Sequence, residues 1–343
     1  MKKKQIIFFL ANFGQGGAGK SIVNLCSKLN KKKYDIAILC LNTCYYKKFL
    51  NKNKIQVIEI KKKRVLFSQI EIKKIINKFI KKNKKVILIS NLFYTNAIIS
   101  LFIKKSKYLK LIFIERTPLQ ELNIYFGIID FVKKIIIKLI LRFNYNKADL
   151  IIANSKKTAK DINLFSKANT VHIYPPAFKY ALNSHKKKEK VIKMLTVGRL
   201  SKEKDYLSLL YFFSKLKDLN FSLKIIGEGP EKNNLINYIK NKNLSKKIQI
   251  LSFKDNIKKY FLNSDLFISS SKFEGFPNTV VESISCNTPV LSAKSHGGIF
   301  EILKEKKFGL LYDSGNFNSF EKKINFFLKN RKKFLFLKRD VEK

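Results

Sequence analysis

The stretch SDLFISSSKFEGFPNTVVESISCNTPVLS, residues 264–292, has the pattern of a strand, a loop, a helix and a second strand. An apolar run over 265–269 ends at a loop that contains glycine and proline. A segment with helical periodicity follows over 278–286, and a second apolar run covers 288–292. This order predicts a βαβ unit whose strands lie parallel in one sheet, and it indicates an α/β fold.

Two carboxylates stand eight residues apart within this stretch. Glu274 lies in the loop, and Glu282 lies in the first turn of the predicted helix. Backbone N–H groups and the dipole at a helix start favour phosphate, while a carboxylate accepts hydrogen bonds from sugar hydroxyls. The segment Thr279–Glu282 also fits a capping box, in which the glutamate only reaches back to the cap N–H. Both interpretations stay open for this stretch alone.

The same alternation of short apolar runs and amphipathic stretches continues through all 343 residues. The predicted strands are 5–11, 35–41, 86–90, 111–114, 149–153, 192–197, 222–226, 248–251, 265–269 and 288–292. The predicted helices are 19–30, 68–82, 158–165, 204–218, 231–243 and 278–286. Strands that alternate with helices predict parallel sheets, and the chain length fits two domains.

A polar, patternless segment after Pro175 and Pro176 is the predicted linker. We expect an N-terminal, acceptor-side Rossmann-like domain over 1–182, a linker over 183–190 and a C-terminal donor domain over 191–316. A helical segment over 317–343 follows, with the option that it packs back on the first domain. Two such domains would leave a cleft at the carboxyl ends of both sheets, where open α/β folds bind ligands.

The charge of the chain is strongly basic, with 71 Lys and Arg against 24 Asp and Glu, for a net charge of +47. Such an excess points toward nucleic acid. Only six of the basic residues are Arg, however, and base readout and bidentate phosphate binding favour Arg over Lys. We therefore expect no nucleic-acid partner. The charge is interpreted as solvated faces, with a share that fits an anionic membrane surface.

The cysteines and histidines give no pattern of a metal site or of a disulfide framework. The four cysteines form no CxxC pair, and the three histidines are scattered. This usage favours a reducing compartment, so we expect a cytoplasmic protein without a metal. The basic start and the apolar run IIFFLA resemble a signal peptide, but the run is short and is interpreted as a first strand. No apolar run reaches the length of a membrane span.

The segment GQGGAGKS, Gly14–Ser21, matches the phosphate-binding loop of NTPases between a predicted strand and a predicted helix. An NTPase also needs an acidic residue at the end of another strand to hold magnesium. The apolar run that ends at Asp130 continues as a helix, and the other strands of the first half end in Asn, Ser or Glu115. A P-loop NTPase therefore stays as the alternative, and the glycines are interpreted as an anion-binding turn.

The second half places cations and glycines at the ends of predicted strands. Arg199 lies just past the strand 192–197, and Lys204 follows five residues later. Two cations at the carboxyl edge of a sheet can neutralise a pyrophosphate without a metal, although an ordinary surface pair is an open alternative. The segments IIGEGP, 225–230, and HGG, 296–298, follow further strands and so belong to the same edge.

This ordered set resembles the family-4 glycosyltransferases, also called group 1 glycosyl transferases, which are retaining enzymes that use nucleotide sugars. The segments GRLSKEKD, IIGEGP, SDLFISSSKFEGFPNTVVES and NTPVLSAKSHGGIFEIL carry the resemblance in the second half, above all through Glu-x7-Glu. The segments FGQGGAGKSIVNLCSKL, ADLIIANS and IYPP match more loosely in the first half. The resemblance implies the GT-B fold, in which two Rossmann-like βαβ domains face each other across a cleft.

The resemblance also implies a role for each matching residue. Arg199 and Lys204 would bind the donor diphosphate, helped by the turn at Gly16 and Gly17, and Glu282 would bind the ribose of the nucleotide. The co-substrate would be a UDP- or GDP-linked sugar, with no other cofactor.

The reacting sugar belongs to the loop at Glu274 in this resemblance, with contacts from Gly275 and Phe276. Glu274, Arg199 and Lys204 would be the catalytic residues. The family forms the new bond with retention, by front-face attack in which the leaving phosphate takes the acceptor proton. The sequence has no Asp-x-Asp, so a metal-held diphosphate is not expected, and catalysis would rest on positioning and on stabilisation of the leaving group.

The implied reaction moves a sugar to a glycan or a lipid-linked acceptor for surface polysaccharide, O-antigen or lipopolysaccharide. A noncatalytic binder of nucleotide sugars is a further alternative. Two departures from the family pattern concern the first half: Gly19 stands where a Glu is usual, and Glu115 and Arg116 stand where many relatives have a His. This pair could contact acceptor or donor, with Arg116 on a phosphate, or form an internal salt bridge.

The acceptor side carries one amphipathic segment, Ile128–Phe143, with Lys134, Lys138 and Arg142 on one stripe. It is predicted either as a buried helix with one solvent-exposed polar edge or as an interfacial helix on acidic lipid. The second option places the protein peripherally on the inner face of the cytoplasmic membrane.

Overall fold

The computed structural model describes residues 3–14, 16–83, 85–175, 191–216, 218–254, 256–303 and 308–334. The chain divides into two compact units, Met1–Pro176 and Ala177–Lys343. The predicted linker 183–190 lies outside the described residues.

The first unit is a parallel α/β sheet with helices between its strands. Its strands are β1 (Lys4–Phe9), β2 (Tyr34–Cys40), β3 (Gln56–Glu59), β4 (Val86–Asn91), β5 (Leu109–Glu115), β6 (Leu150–Ala153) and β7 (Thr170–His172). Its helices are α1 (Gly17–Lys28), α2 (Lys47–Lys52), α3 (Gln69–Asn83), α4 (Phe93–Phe102), α5 (Ile128–Asn144) and α6 (Lys156–Ser166). The strand order is β3-β2-β1-β4-β5-β6-β7, with every pairing parallel.

The second unit repeats this plan. Its strands are β8 (Ile192–Val197), β9 (Phe221–Ile226), β10 (Ile248–Leu251), β11 (Leu266–Ser269), β12 (Phe273–Glu274), β13 (Val290–Ala293), β14 (His296–Gly297) and β15 (Gly309–Tyr312). Its helices are α7 (Tyr206–Lys215), α8 (Lys232–Asn241), α9 (Lys258–Leu262), α10 (Asn278–Ser285), α11 (Ile299–Ile302) and α12 (Phe317–Lys329). The main sheet has the order β10-β9-β8-β11-β13-β15, and β12 and β14 form a separate two-stranded sheet.

Both main sheets reverse their strand order next to their first strand. The first sheet reverses between β1 and β4, and the second between β8 and β11. In open α/β sheets, ligands bind outside the carboxyl ends of the strands at such a switch point. The predicted α/β fold with two Rossmann-like units is therefore confirmed.

The strands are apolar on both faces because each sheet is covered on both sides. In β1, Ile7 and Phe9 lie in one buried cluster, while Ile6 and Phe8 lie in the other. Successive side chains of a strand point to opposite faces, so a strand between two helix layers reads as a continuous apolar run. This is why the central strands were predictable from sequence.

The strands that the sequence analysis missed are β3, β7, β12, β14 and β15. β3 and β7 are edge strands with partly exposed side chains, so neither has a continuous apolar run. β12 and β14 have only two residues each. Helices α2, α4, α9 and α11 were also missed, and three of these are shorter than two turns.

The helical segment predicted over 317–343 contains α12, which packs within the second unit. Phe320, Ile324 and Phe327 of α12 enter the same buried cluster as strand β8. The buried face of this helix is therefore used within its own unit. Residues 335–343 lie outside the described part of the chain.

Glu115, at the end of β5, lies in a buried polar network. Its side chain is 1% exposed. Its Oε1 accepts hydrogen bonds from Asn96 Nδ2 at 2.5 Å and from the hydroxyl of Tyr145. Burial raises the pKa of Glu115 from its ordinary value near 4.5 to about 8, against the opposing effect of these two donors. Glu115 is therefore held inside the first unit by Asn96 and Tyr145.

A second internal constraint fixes the loop that follows β8. A Cβ at Gly227 would lie 1.9 Å from the carbonyl oxygen of Gly198, and a Cβ at Gly229 would lie 2.2 Å from that of Leu200. The Leu200 N–H donates to Glu228 O at 2.9 Å, and the Glu231 N–H donates to Leu200 O at 2.9 Å. The IIGEGP turn is therefore a backbone support for the loop that carries Arg199.

The substitution Glu115→Gln is expected to change how stability depends on pH. The folded chain keeps the Glu115 proton up to about pH 8, whereas the unfolded chain releases it near pH 4.5. The unfolded state then binds fewer protons, so the contribution of Glu115 to stability falls as the pH rises through this window. Urea unfolding between pH 5 and pH 8 should show Glu115→Gln gaining stability relative to the wild type with rising pH.

The matched control for this experiment is Glu71→Gln, which removes an exposed carboxylate paired with Lys62. The pKa of Glu71 is lowered, first by a backbone hydrogen bond and then by Lys62, so its small effect has the opposite sign. A difference between Glu115→Gln and wild type that stays constant with pH would contradict a raised pKa at Glu115.

Gly227→Ala is expected to destabilise the second unit because the new methyl group would overlap a backbone carbonyl. Overpacking of this kind costs about 1–3 kcal/mol. Gly16→Ala is the control, since a Cβ there has nothing within 4 Å and φ is −65°. Thermal unfolding should separate the two variants, and equal melting temperatures would contradict the close approach at Gly198.

Candidate functional site

Lys204 and Glu274 meet at the carboxyl edge of the second sheet. Lys204 ends a 3-10 turn, Lys202–Lys204, in the loop after β8, and Glu274 ends β12 after β11. The Lys204 ammonium forms an ion pair with Glu274 Oε1, and their side chains are 21% and 18% exposed. Because β8 and β11 are neighbours at the switch point, two residues 70 positions apart come into contact.

The Glu274 carboxylate is oriented by one further donor. Ser271 Oγ donates to the same Oε1 at 2.9 Å. Within the described part of the chain, no hydrogen bond reaches Glu274 Oε2. One carboxylate oxygen is thus fixed by Lys204 and Ser271, and the other keeps its capacity to accept from a ligand hydroxyl.

The two loops that carry this pair are also joined through their backbones. Ser270 Oγ donates to Lys204 O at 2.7 Å, and the Lys272 N–H donates to Glu203 O at 2.9 Å. Lys272 Nζ lies 3.5 Å from a carboxylate oxygen of Asp205. These contacts hold the two loops in a fixed relation to each other.

The Glu274 loop has its own glycine support. Gly297 pairs with Glu274 between β14 and β12, and it adopts a φ of 111°. A Cβ there would lie 1.7 Å from Glu274 O, and the Gly298 N–H donates to Gly275 O at 2.9 Å. The HGG segment therefore shapes the backbone around Glu274, a role that the sequence analysis did not assign.

Arg199 extends from the supported loop after β8 into solvent. Its side chain is exposed, and no hydrogen bond or ion pair joins the guanidinium to the residues that the structure describes. A Cβ at the neighbouring Gly198 would lie 3.6 Å from Lys204 Cε, so the Arg199 loop and Lys204 are adjacent. The structure thus brings Arg199, Lys204 and Glu274 to one edge, as the sequence predicted.

Glu282 does not form the capping box that remained open in the sequence. Helix α10 begins at Asn278, its N-cap is Pro277, and no side chain caps it. Glu282 is then the fifth residue of the helix, two residues past the third position, which a capping box requires. The first turn contains no acidic residue, so the positive helix end is not neutralised by its own side chains.

The glycine turn of the first unit opens at the start of α1. The N-cap is Gly16, without a side-chain cap, and both Gly16 and Gly17 are exposed. A Cβ at Gly19 would lie 2.8 Å from Gly14 O. This backbone therefore does not accommodate the glutamate that is usual at this position in the family. The turn therefore offers backbone N–H groups without a carboxylate.

Arg116 and Glu115 have different hydrogen-bond partners, and no ion pair joins Arg116 to an acidic side chain among the described residues. Arg116 Nε and Nη2 lie 3.4 and 3.3 Å from Asn91 Oδ1, and Asn154 Nδ2 donates to Arg116 O at 3.1 Å. Burial lowers the pKa of Arg116 to about 10, so it stays charged at neutral pH. Arg116 remains a candidate for binding an anion at the carboxyl end of β5 in the first unit, whereas Glu115 is buried.

A metal-binding cluster was not expected from the sequence. Across the described ranges, no group of three or more His, Cys, Asp and Glu residues is placed to hold a metal ion.

The chain matches known glycosyltransferases in sequence and in fold. Residues 179–339 match the family model of the glycosyl transferases group 1. A relative from Campylobacter jejuni, N-acetylgalactosamine-N,N'-diacetylbacillosaminyl-diphospho-undecaprenol 4-alpha-N-acetylgalactosaminyltransferase, is 35% identical over 53% of this chain and 51% of its own length. The chain thus spans about half the length of the curated relatives that it matches.

Two solved structures show the same fold over nearly the whole chain. Anabaena HepE in complex with UDP-glucose has a TM-score of 0.74 at 18% identity, over 96% of this chain and 91% of that chain. The sucrose-phosphate synthase of Thermosynechococcus elongatus has a TM-score of 0.78 at 15% identity, over the same shares. Residues 179–339 therefore resemble the group 1 glycosyl transferases, and the chain has the GT-B fold of these two solved structures.

Proposed function

We propose that the protein is a retaining glycosyltransferase that moves a sugar from a nucleotide diphosphate sugar to a glycan or a lipid-linked acceptor. The observation that carries this proposal is the contact of Lys204 with Glu274 beside the exposed Arg199, at the switch point of the second sheet. Two cations suit a diphosphate, and an adjacent carboxylate suits sugar hydroxyls. This combination fits a diphosphate-linked sugar better than a free anion.

Binding of the donor exchanges partners within this set of residues. Arg199 and Lys204 bind the diphosphate, which replaces Glu274 as the counter-charge of Lys204. The Glu274 carboxylate then accepts from the hydroxyls of the donor sugar, with the Gly275 and Phe276 backbone beside it. Ser270 bonds the backbone of Lys204 and Ser271 bonds one oxygen of Glu274, so both loops can keep their positions while the Lys204 side chain changes its partner.

The nucleotide is bound on the side of α10. Glu282 accepts from the ribose hydroxyls, and the uncapped start of α10 favours the nearby phosphate charge. UDP or GDP is the proposed nucleotide, since the related fold of HepE was solved with UDP-glucose.

The reaction breaks the bond between the anomeric carbon and the diphosphate oxygen, and it forms a bond from that carbon to the acceptor oxygen on the same face. The acceptor proton passes to the leaving phosphate. Arg199 and Lys204 stabilise the charge that develops on this phosphate, which allows a metal-independent reaction. Arg116, oriented by Asn91, binds a phosphate of the acceptor or of the donor.

The acceptor is proposed to be a glycan or lipid-linked glycan of the cell envelope, in surface polysaccharide, O-antigen or lipopolysaccharide biosynthesis. The Campylobacter relative bears the name of a diphospho-undecaprenol-linked acceptor, which supports a lipid carrier here. We place the protein in the cytoplasm, peripherally on the inner face of the cytoplasmic membrane. None of the described helices is long and apolar enough to cross a membrane.

The substitutions Arg199→Ala and Lys204→Ala are expected to lower transfer by about 100- to 1000-fold each, because each removes a charge that stabilises the leaving diphosphate. The measurement is nucleotide release from a panel of UDP-, GDP- and ADP-linked sugars. Glu274→Ala should abolish productive placement of the donor sugar. Lys240→Ala, an exposed lysine of α8, is the matched control and should behave as wild type.

The same assay distinguishes the two alternatives. A P-loop NTPase using Gly14–Ser21 would hydrolyse ATP or GTP with magnesium and lose this activity in Lys20→Ala, but not in Lys204→Ala. A noncatalytic binder would bind a nucleotide sugar without nucleotide release. Wild-type activity in both Arg199→Ala and Glu274→Ala would refute the site proposed here.

Glu282→Ala is expected to weaken UDP binding by about 10- to 100-fold, the effect of losing hydrogen bonds to a charged group. Calorimetry with UDP and with its 2′-deoxy and 3′-deoxy analogues measures whether the ribose hydroxyls are the partners. For a hydroxyl that Glu282 binds, the two losses should not be additive. Fully additive losses for both hydroxyls would contradict a ribose contact at Glu282.

A further inference from the structure

Helix α5 packs on the first unit through only one of its faces. Lys134, Ile137 and Leu141 are the buried residues of this helix, whose neighbours are α4 and α6. Lys134 is 3% exposed, and its ammonium donates to Ile124 O at 2.5 Å and pairs with Asp130 at 2.8 Å. The sequence suggested a solvent-exposed polar edge formed by Lys134, Lys138 and Arg142. The first of these residues, Lys134, instead lies in the protein interior.

The other two cations of that stripe also bond to the protein. Lys138 Nζ donates to the hydroxyl of Tyr125 at 3.2 Å, and Arg142 Nη1 donates to Phe165 O. They lie at the side of α5, between its buried face and its outer face.

The outer face of α5 is apolar and exposed over the whole length of the helix. Ile128 is 82% exposed, Ile129 is 87% exposed and Phe143 is 68% exposed. The other exposed apolar side chains of this face are Val132, Ile136 and Leu139. At about 100° per residue, these six side chains fall within an arc of about 100°. The helix thus has the reverse of the polarity expected for a helix at a water-exposed surface.

Cations flank this apolar face on both sides. Lys138 and Arg142 lie along one side, and Lys133 lies along the other, over the ring of Tyr94 at 4.1 Å. An apolar helix face bordered by cations is the pattern of a helix that lies in the interface of an anionic bilayer.

We propose that the outer face of α5, comprising Ile128, Ile129, Val132, Ile136, Leu139 and Phe143, docks on the surface of an anionic membrane. A bilayer fits this face better than a second copy of the chain. A copy would bring the flanking cations and a net charge of +47 against their like, whereas acidic headgroups neutralise them.

This membrane docking extends the proposed function and rests on it, because a lipid-linked acceptor would be the reason for the protein to bind a membrane. The apolar face would hold the first unit at the headgroup level, where the phosphate and first sugars of a lipid-linked acceptor lie. The binding itself requires neither donor nor acceptor, so it can be measured separately from transfer.

The chain has no tryptophan, which permits a single-fluorophore test. Leu139→Trp places the probe on the outer face of α5, and Leu207→Trp places it on an exposed position of α7 in the other unit. With vesicles of phosphatidylcholine and phosphatidylglycerol, we expect a blue shift and quenching by brominated acyl chains for Leu139→Trp only. Vesicles that bind the protein without any change at position 139 would overturn the proposed surface.

The double variant Ile136→Ser/Leu139→Ser should lower vesicle affinity by about tenfold or more in flotation, because two apolar side chains no longer enter the interface. Leu25→Ser/Leu207→Ser is the matched control, since both are exposed leucines on other helices, and should bind as wild type. Lys133→Gln/Lys138→Gln should bind poorly to anionic vesicles, and pure phosphatidylcholine should bind the wild type weakly.

The outcomes separate this inference from the proposed activity. If Ile136→Ser/Leu139→Ser and its control bind vesicles equally, or if the wild type does not bind, the membrane assignment is wrong. A wild-type dimer in analytical ultracentrifugation that this variant dissociates, without vesicle binding, would assign the face to a second copy instead. Nucleotide release by the variant in detergent-free solution should equal that of wild type, whichever result the vesicles give.

Discussion

The ion pair between Lys204 and Glu274 is the interaction on which the functional edge of the second unit depends. It joins the loop after β8 to the loop after β11, which only the switch point of the sheet brings together. A partly exposed ion pair contributes little to stability by itself. Its main effect is on position, because it places a cation and a carboxylate beside each other at the edge of the sheet. In the proposed function, a ligand with both a diphosphate and hydroxyls would separate the two groups.

Close backbone contacts at glycines and hydrogen bonds from two serine side chains form the surroundings of this pair. Gly227 and Gly229 permit the close approach that holds the Arg199 loop, and Gly297 does the same for the Glu274 loop. Ser270 and Ser271 tie both loops to the pair itself. In the first unit, the Glu115 contact with Tyr145 links β5 to the residue that follows α5, so the exposed helix is anchored to the sheet.

The sequence predicted the α/β fold, the central strands and the placement of Arg199, Lys204 and Glu274 at one sheet edge, because these follow from periodicity and from the positions of strand ends. It did not predict the edge strands β3 and β7, whose side chains are half exposed. It also left the outer face of α5 undecided: an apolar stripe in a sequence does not say whether protein, water or lipid covers it. The supporting roles of Gly227 and Gly297 require three-dimensional contacts that no spacing encodes.

The most direct measurement of the central claim is hydrogen–deuterium exchange of the protein with and without UDP. We expect slower exchange in residues 198–205 and 270–283, because the nucleotide would bind at the edge formed by these two loops and the start of α10. Slower exchange confined to residues 14–21, with the two loops unchanged, would contradict the assignment of the nucleotide to the second unit.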